Sequence, residues 1–164
     1  MLNCRHCGDK AATNEEIIMS TEYSHEFNSL LAGEISAVET YDLALKRDFS
    51  ADLVDMLMQC RDSHSARVDK LSECVIGCGG TPNEGGGVFG AFASVVQNSQ
   101  SNAHDALSQL ELFEAERLVQ YENAREIAPE PVRLIIDQDL LPMQHQTHLA
   151  VSSALRQINP LPAQ

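Results

Sequence analysis

Glu34, His64, Glu114 and His148 are residues of metal-ligand type, each set near the middle of an otherwise apolar helical stripe. At a spacing of three to four the stripes read Phe27, Leu31, Glu34, Val38, Tyr41, Leu45; Leu53, Leu57, Cys60, His64, Val68, Leu71, Val75; Leu107, Leu110, Glu114, Leu118, Tyr121; and Leu134, Leu141, His145, His148, Val151, Leu155. An unpaired carboxylate buried in such a stripe costs several kcal/mol, so four interruptions, one per helix, point to a common cause. Carboxylate oxygen and imidazole nitrogen suit iron, manganese or zinc. Two Glu and two His hold an ion and leave positions open for water, dioxygen or peroxide. His145 adds a donor one turn before His148. Gln144, Cys60 (one turn before His64) and Arg61 are further groups at the same level. Tyr41 and Tyr121 follow Glu34 and Glu114 by seven residues on the same faces and are candidate hydrogen-bond partners or oxidisable groups. Each residue alone has a plainer reading: a hydrogen-bonded core histidine, a solvent-facing Glu114, a Glu34–Arg61 ion pair, a core tyrosine. Taken together they read as a metal set.

The positioning elements are helices. The first is expected from near Ser20–Ser24 to Arg47, with Gly33 beside Glu34 marking close packing or room near the carboxylate. The second runs from Ser50 to Cys78, ended by Gly79-Gly80-Thr81-Pro82. Residues 79–87 form a Gly-rich crossover, and Val88 to Gln100 a shorter extra helix. The third helix starts at the Asn102 cap and stops near Ile127. The fourth runs from Pro131 to Ile158, with Pro142 kinking it and aiming His145 and His148 inward. Glu34 and His64 each lie about fifteen residues from the turn between their helices, and Glu114 and His148 stand in a similar relation to theirs. The expected architecture is an all-α antiparallel four-helix bundle over 20–158, with a polar lead-in at 1–19 and a disordered tail at 159–164.

The formal net charge of −13 on 164 residues argues against nucleic acid, whose phosphates would be repelled. No stretch has the apolar length to span a bilayer, and the start lacks a secretion segment. The expectation is a cytoplasmic protein without a membrane or nucleic-acid partner, and a candidate homodimer through Phe89 and Phe92. The five cysteines are an odd number, which favours thiols or metal ligands over a disulfide framework. Cys4 and Cys7 form a C-x-x-C, and Cys74 and Cys78 lie one turn apart near the end of helix two. These four make a candidate tetrahedral thiolate site for zinc or copper(I).

The run Leu30-Leu31-Ala32-Gly33-Glu34-Ile35-Ser36-Ala37-Val38-Glu39-Thr40-Tyr41, the segment Arg61-Asp62-Ser63-His64, Glu114 through Ala124, and Leu140-Leu141-Pro142 leading to His148 resemble the ferritin-like superfamily of ferritins, bacterioferritins and rubrerythrins. More closely they resemble a bacterial ferritin-like domain of unassigned function. The resemblance covers 20–158 and implies a carboxylate-bridged iron site with oxidase or peroxidase chemistry linked to stress or metal handling. Typical members carry Glu-x-x-His on helices two and four. Here Arg61 precedes His64 and His145 precedes His148 at that spacing, so both bridging carboxylates are absent. A single metal, a site using His145 or Gln144, and an empty site with Arg61 bonded to a Glu all stay open. So does a non-enzymatic bundle whose polar core is a hydrogen-bonded network with a structural or partner-binding role.

Overall fold

The computed structural model of the chain describes residues 14–85 and 103–158, with side chains from Tyr23 onward. All described elements are helical, and no strand occurs among them. In chain order they are α1 (Asn14–Ala44), α2 (Ala51–Gly77), α3 (Ala103–Ile127), α4 (Glu130–Ile135), a π-helical turn (Ile136–Leu140) and α5 (Leu141–Ile158). The last three form one continuous rod, because Ile135, Ile136 and Leu141 at its joints are all right-handed helical. No helix among the described residues is long and apolar enough to cross a membrane. The expected short helix at Val88–Gln100, the Cys4–Cys7 pair and the tail at 159–164 lie outside the described residues.

Local chemistry explains most boundaries. Ser50 precedes α2 in extended geometry and its carbonyl accepts from the Val54 amide at 3.0 Å, with Asp52 in the first turn. Gly79 takes a φ of 76°, and the Gly80 amide returns to the Val75 carbonyl at 2.9 Å, closing the helix end. Asn28 then straps the following segment to α1, donating to the Thr81 carbonyl and accepting from the Asn83 amide. Pro131 sits in the first turn of α4, where its missing N–H costs nothing. The one large boundary difference is α1, which starts at Asn14 rather than at the expected Ser20–Ser24.

Side-chain pairs fix the directions. Asp42 meets Arg61 while Asn28 meets Thr81, so α1 and α2 are antiparallel. Glu111 meets Ser152 while Arg125 meets Asp137, so α3 and the α4–α5 rod are antiparallel. Arg67 meets Gln144 and Lys70 meets Asp139, which sets α2 antiparallel to the same rod. The apolar core falls into two clusters. One contains Phe27, Leu31, Leu71, Val75, Tyr121, Val132, Ile136 and Leu140. The other contains Tyr41, Ala44, Leu57, Cys60, Leu107, Leu110 and Val151. Between them lies a buried layer of polar and charged side chains.

The inward face of the last rod differs from the expected stripe. Val132, Ile136, Leu140, Gln144, Thr147 and Val151 are buried, whereas Leu134 is 48% exposed. Three successive steps of four residues, from 132 to 144, are the footprint of the π-helical turn, which inserts one extra residue into the helix. Pro142 has no N–H for the Gln138 carbonyl, and its ring would press on that carbonyl in a regular helix. The widened turn just before it relieves that crowding. The expected kink at Pro142 is therefore a π-turn, and it rotates His145 and His148 off the core.

Candidate functional site

Each long helix contributes to the buried polar layer. Glu34 comes from α1, His64 and Arg67 from α2, Glu114 and Arg117 from α3, and Gln144 and Thr147 from α5, all at most 3% exposed. His64 stands at the centre. Its Nδ1 lies 2.8 Å from Glu34 Oε2 and its Nε2 lies 2.8 Å from Glu114 Oε1. Glu34 also takes Arg67 Nε at 2.9 Å, Arg117 Nη2 at 2.7 Å and the Tyr121 hydroxyl at 2.7 Å. Glu114 takes the Tyr41 hydroxyl at 2.5 Å, Gln144 Nε2 at 2.6 Å and the Thr147 hydroxyl at 2.8 Å. The tyrosines cross over: Tyr41 of α1 serves Glu114 of α3, and Tyr121 of α3 serves Glu34 of α1. Each Tyr lies seven residues beyond the Glu of its own helix, so the exchange requires α1 and α3 to be antiparallel.

Gly33 explains how Arg117 reaches Glu34. A Cβ at Gly33 would fall 1.9 Å from Arg117 Nη1, so the guanidinium occupies the volume a side chain would fill. Its other nitrogen donates to Gln120 Oε1 at 2.5 Å, while its buried Nε has no partner among the described residues. The cation also lies 5.2 Å from the Tyr121 ring centroid.

The electrostatics follow from this crowding. Burial alone pushes the Glu34 carboxyl up, but Arg67, Arg117 and His64 outweigh it and hold it well below the usual range. Glu114 is lowered against burial by His64 and by its hydrogen bonds. Burial pulls His64 down, yet the two carboxylates raise it overall. Burial and the adjacent carboxylates drive both tyrosines well above their ordinary value. His64 has partners in either charge state. As an imidazolium it donates to both carboxylates. As a neutral ring it keeps Nε2–H on Glu114, and Nδ1 accepts from Arg67 Nη2 at 2.6 Å.

Glu34, His64 and Glu114 thus converge as the sequence indicates, with Tyr41, Tyr121 and Gln144 bonded to them. His148 and His145 do not join them. His148 is partly exposed and lies 3.3 Å from Glu111 Oε1, and His145 is exposed, because the π-turn presents Gln144 and Thr147 instead. Arg61 is also a correction: it lies near the surface, bound to Asp42 and Asp62. The arginine three residues on the other side, Arg67, holds the core place. Cys60 is buried against Met56 Sδ at 3.7 Å, and burial together with Glu114 raises its thiol to about 12. Cys74 and Cys78 are free, partly buried thiols beside the first apolar cluster. The residues missed in the sequence are Arg67, Arg117 and Thr147. The available signal was the i, i+3 pairs His64–Arg67 and Glu114–Arg117, each on one helix face.

The metal implied by the ferritin-like resemblance can be tested on the donor set. Among the described residues, no group of three or more His, Cys, Asp and Glu side chains is placed to hold a metal ion. Both oxygens of Glu34 face guanidinium nitrogens, and both His64 nitrogens face carboxylate oxygens. Cationic side chains stand where the ion's charge would be, so the residues as arranged do not fit a metal centre.

Fold and site define an all-helical protein with a buried carboxylate–imidazole–guanidinium layer. The chain belongs to the family described as domain of unknown function DUF2383, whose model matches residues 22–126. That span holds Glu34, His64, Arg67, Glu114 and Arg117, while Gln144 and Thr147 lie beyond it. No curated protein and no solved structure matches the chain.

Proposed function

We propose that this is a non-enzymatic four-helix bundle, ferritin-like in arrangement, whose charged core locks the four helices in register and serves a structural or partner-binding role. The observation that carries this reading is the closed network around His64 and Glu34, in which guanidinium, imidazole and tyrosine groups satisfy the carboxylates. Its charged atoms are shielded from water, so no group of this layer is open to a substrate. Support for the arrangement comes from helix directions: α2 and α3 both oppose α5 and so run parallel to each other. Leu112, Val119 and Ile127 recur on the outer side of α3, a surface suited to meeting a partner.

The competing reading keeps a metal at Glu34, His64 and Glu114, since these three do meet. Elemental analysis of tag-free protein, expressed with iron, manganese and zinc in the medium, separates the two. We expect metal well below one equivalent and a cooperative thermal unfolding unchanged by chelator. Near-stoichiometric iron, manganese or zinc, lost in Glu34→Ala/Glu114→Ala, would establish the metal reading instead.

A further inference from the structure

Arg67 lies in a cage of donors. Its Nε donates to Glu34 Oε2 at 2.9 Å, its Nη1 to Ser63 Oγ at 3.1 Å and its Nη2 to Gln144 Oε1 at 3.1 Å, while Nη2 lies 2.6 Å from His64 Nδ1. Carboxylate oxygen, imidazole nitrogen and amide oxygen are a donor set for borderline divalent metals. The imidazole is already held as a ligating imidazole is held elsewhere: its far nitrogen is fixed by the Glu114 carboxylate at 2.8 Å. Arg117 sits on the opposite Glu34 oxygen at 2.7 Å and leaves this cage free. A groove of about 160 Å³, lined by Gln59, Cys60, Ser63 and Thr147 among others, borders the cage at Ser63 and offers an ion a way in.

We infer that the Arg67 guanidinium is the resident cation of a latent metal site, whose donors Glu34, His64 Nδ1 and Gln144 bind a divalent transition metal once that side chain is removed. The inference rests on the metal-free reading above. The chain holds its core cation covalently, so the layer forms without an ion supply. Charge argues in the same direction. Arg67 removal takes one positive charge from beside Glu34, and an ion of charge +2 replaces it together with the proton that His64 Nδ1 gives up on ligation.

The test is Co(II) titration of tag-free wild type, Arg67→Ala and Arg67→Ala/Glu34→Gln, read by visible d–d absorbance and by Tm. The expected result is one Co(II) bound by Arg67→Ala, with a rise in Tm, and neither effect in the wild type or the double variant. A folded Arg67→Ala that binds no Co(II), or binding that survives Glu34→Gln, would overturn the inference. Should Arg67→Ala not fold unaided, refolding with Co(II) or with millimolar guanidinium decides. Recovery with Co(II) supports the latent site; recovery with guanidinium alone, or with neither, overturns it. Stoichiometric metal in the wild type would instead sink the reading on which the inference rests, so the two failures are distinguishable.

Discussion

Gly33 shows how one missing side chain sets a charge. Replacing glycine by alanine inside a helix ordinarily gains about 1 kcal/mol. Here the new Cβ would stand 1.9 Å from Arg117 Nη1 and drive the guanidinium off Glu34. Breaking a buried pair costs about 3–5 kcal/mol, so the loss exceeds the gain. Gly33→Ala is expected to destabilise the protein by about 2–4 kcal/mol, as measured by urea denaturation. A more stable variant would mean that Arg117 has another place to go. The arginines around His64 carry the same lesson. Arg61 and Arg67 stand three residues before and after it, equally eligible by spacing. Only the packing of α1, α3 and α5 makes one a surface ion pair and the other a core cation.

At the scale of the element, the π-turn decides which side chains of the last rod face Glu114. With the extra residue in place, Gln144 and Thr147 donate to the Glu114 carboxylate. A further residue added there would rotate every residue beyond by roughly 100° relative to those before. Insertion of one alanine after Gln138, an exposed residue of that turn, is therefore expected to break both bonds. Hydrogen bonds to a charged group contribute roughly 1.5–3 kcal/mol each. The insertion should cost at least about 3 kcal/mol, seen as a lower denaturation midpoint. Insertions in an ordinary exposed loop would not have that effect. A midpoint equal to the wild type would show that the turn does not set this register.

For the whole molecule, the charged layer splits the apolar core in two and couples stability to pH. Glu34 and Glu114 have folded values below the unfolded value of about 4.3. Their contribution is complete above that pH and is lost as pH falls through the folded values. His64 has a folded value above the unfolded value of about 6.5. Its contribution is complete below that pH and is lost as pH rises through the folded value. The layer is therefore expected to stabilise most between about pH 4.5 and 6.5. Urea denaturation from pH 3 to 9 should show stability falling on both flanks, with the alkaline fall removed in His64→Gln. An alkaline fall of equal size in that variant would assign it to other groups.

The sequence by itself determined the helical class, most of the helix ends, and the meeting of Glu34, His64 and Glu114. Apolar periodicity and turn residues are local, and three ligand-type residues inside apolar stripes must be buried together. It also marked Gly33 as room for a neighbour and the two tyrosines as partners. What only the tertiary structure decided is what neutralises the carboxylates. Arg67 and Arg117 look like surface residues in a linear reading, because a long cationic side chain sits at the edge of a stripe as readily as within it. Whether it turns inward depends on a carboxylate from another helix. His145 and His148 were misplaced for a related reason: an α-helical period carried through Pro142 hides the one-residue insertion that crowding at that proline imposes. Local pattern says which residues are buried; the choice of partner is made across helices, where sequence distance carries no information.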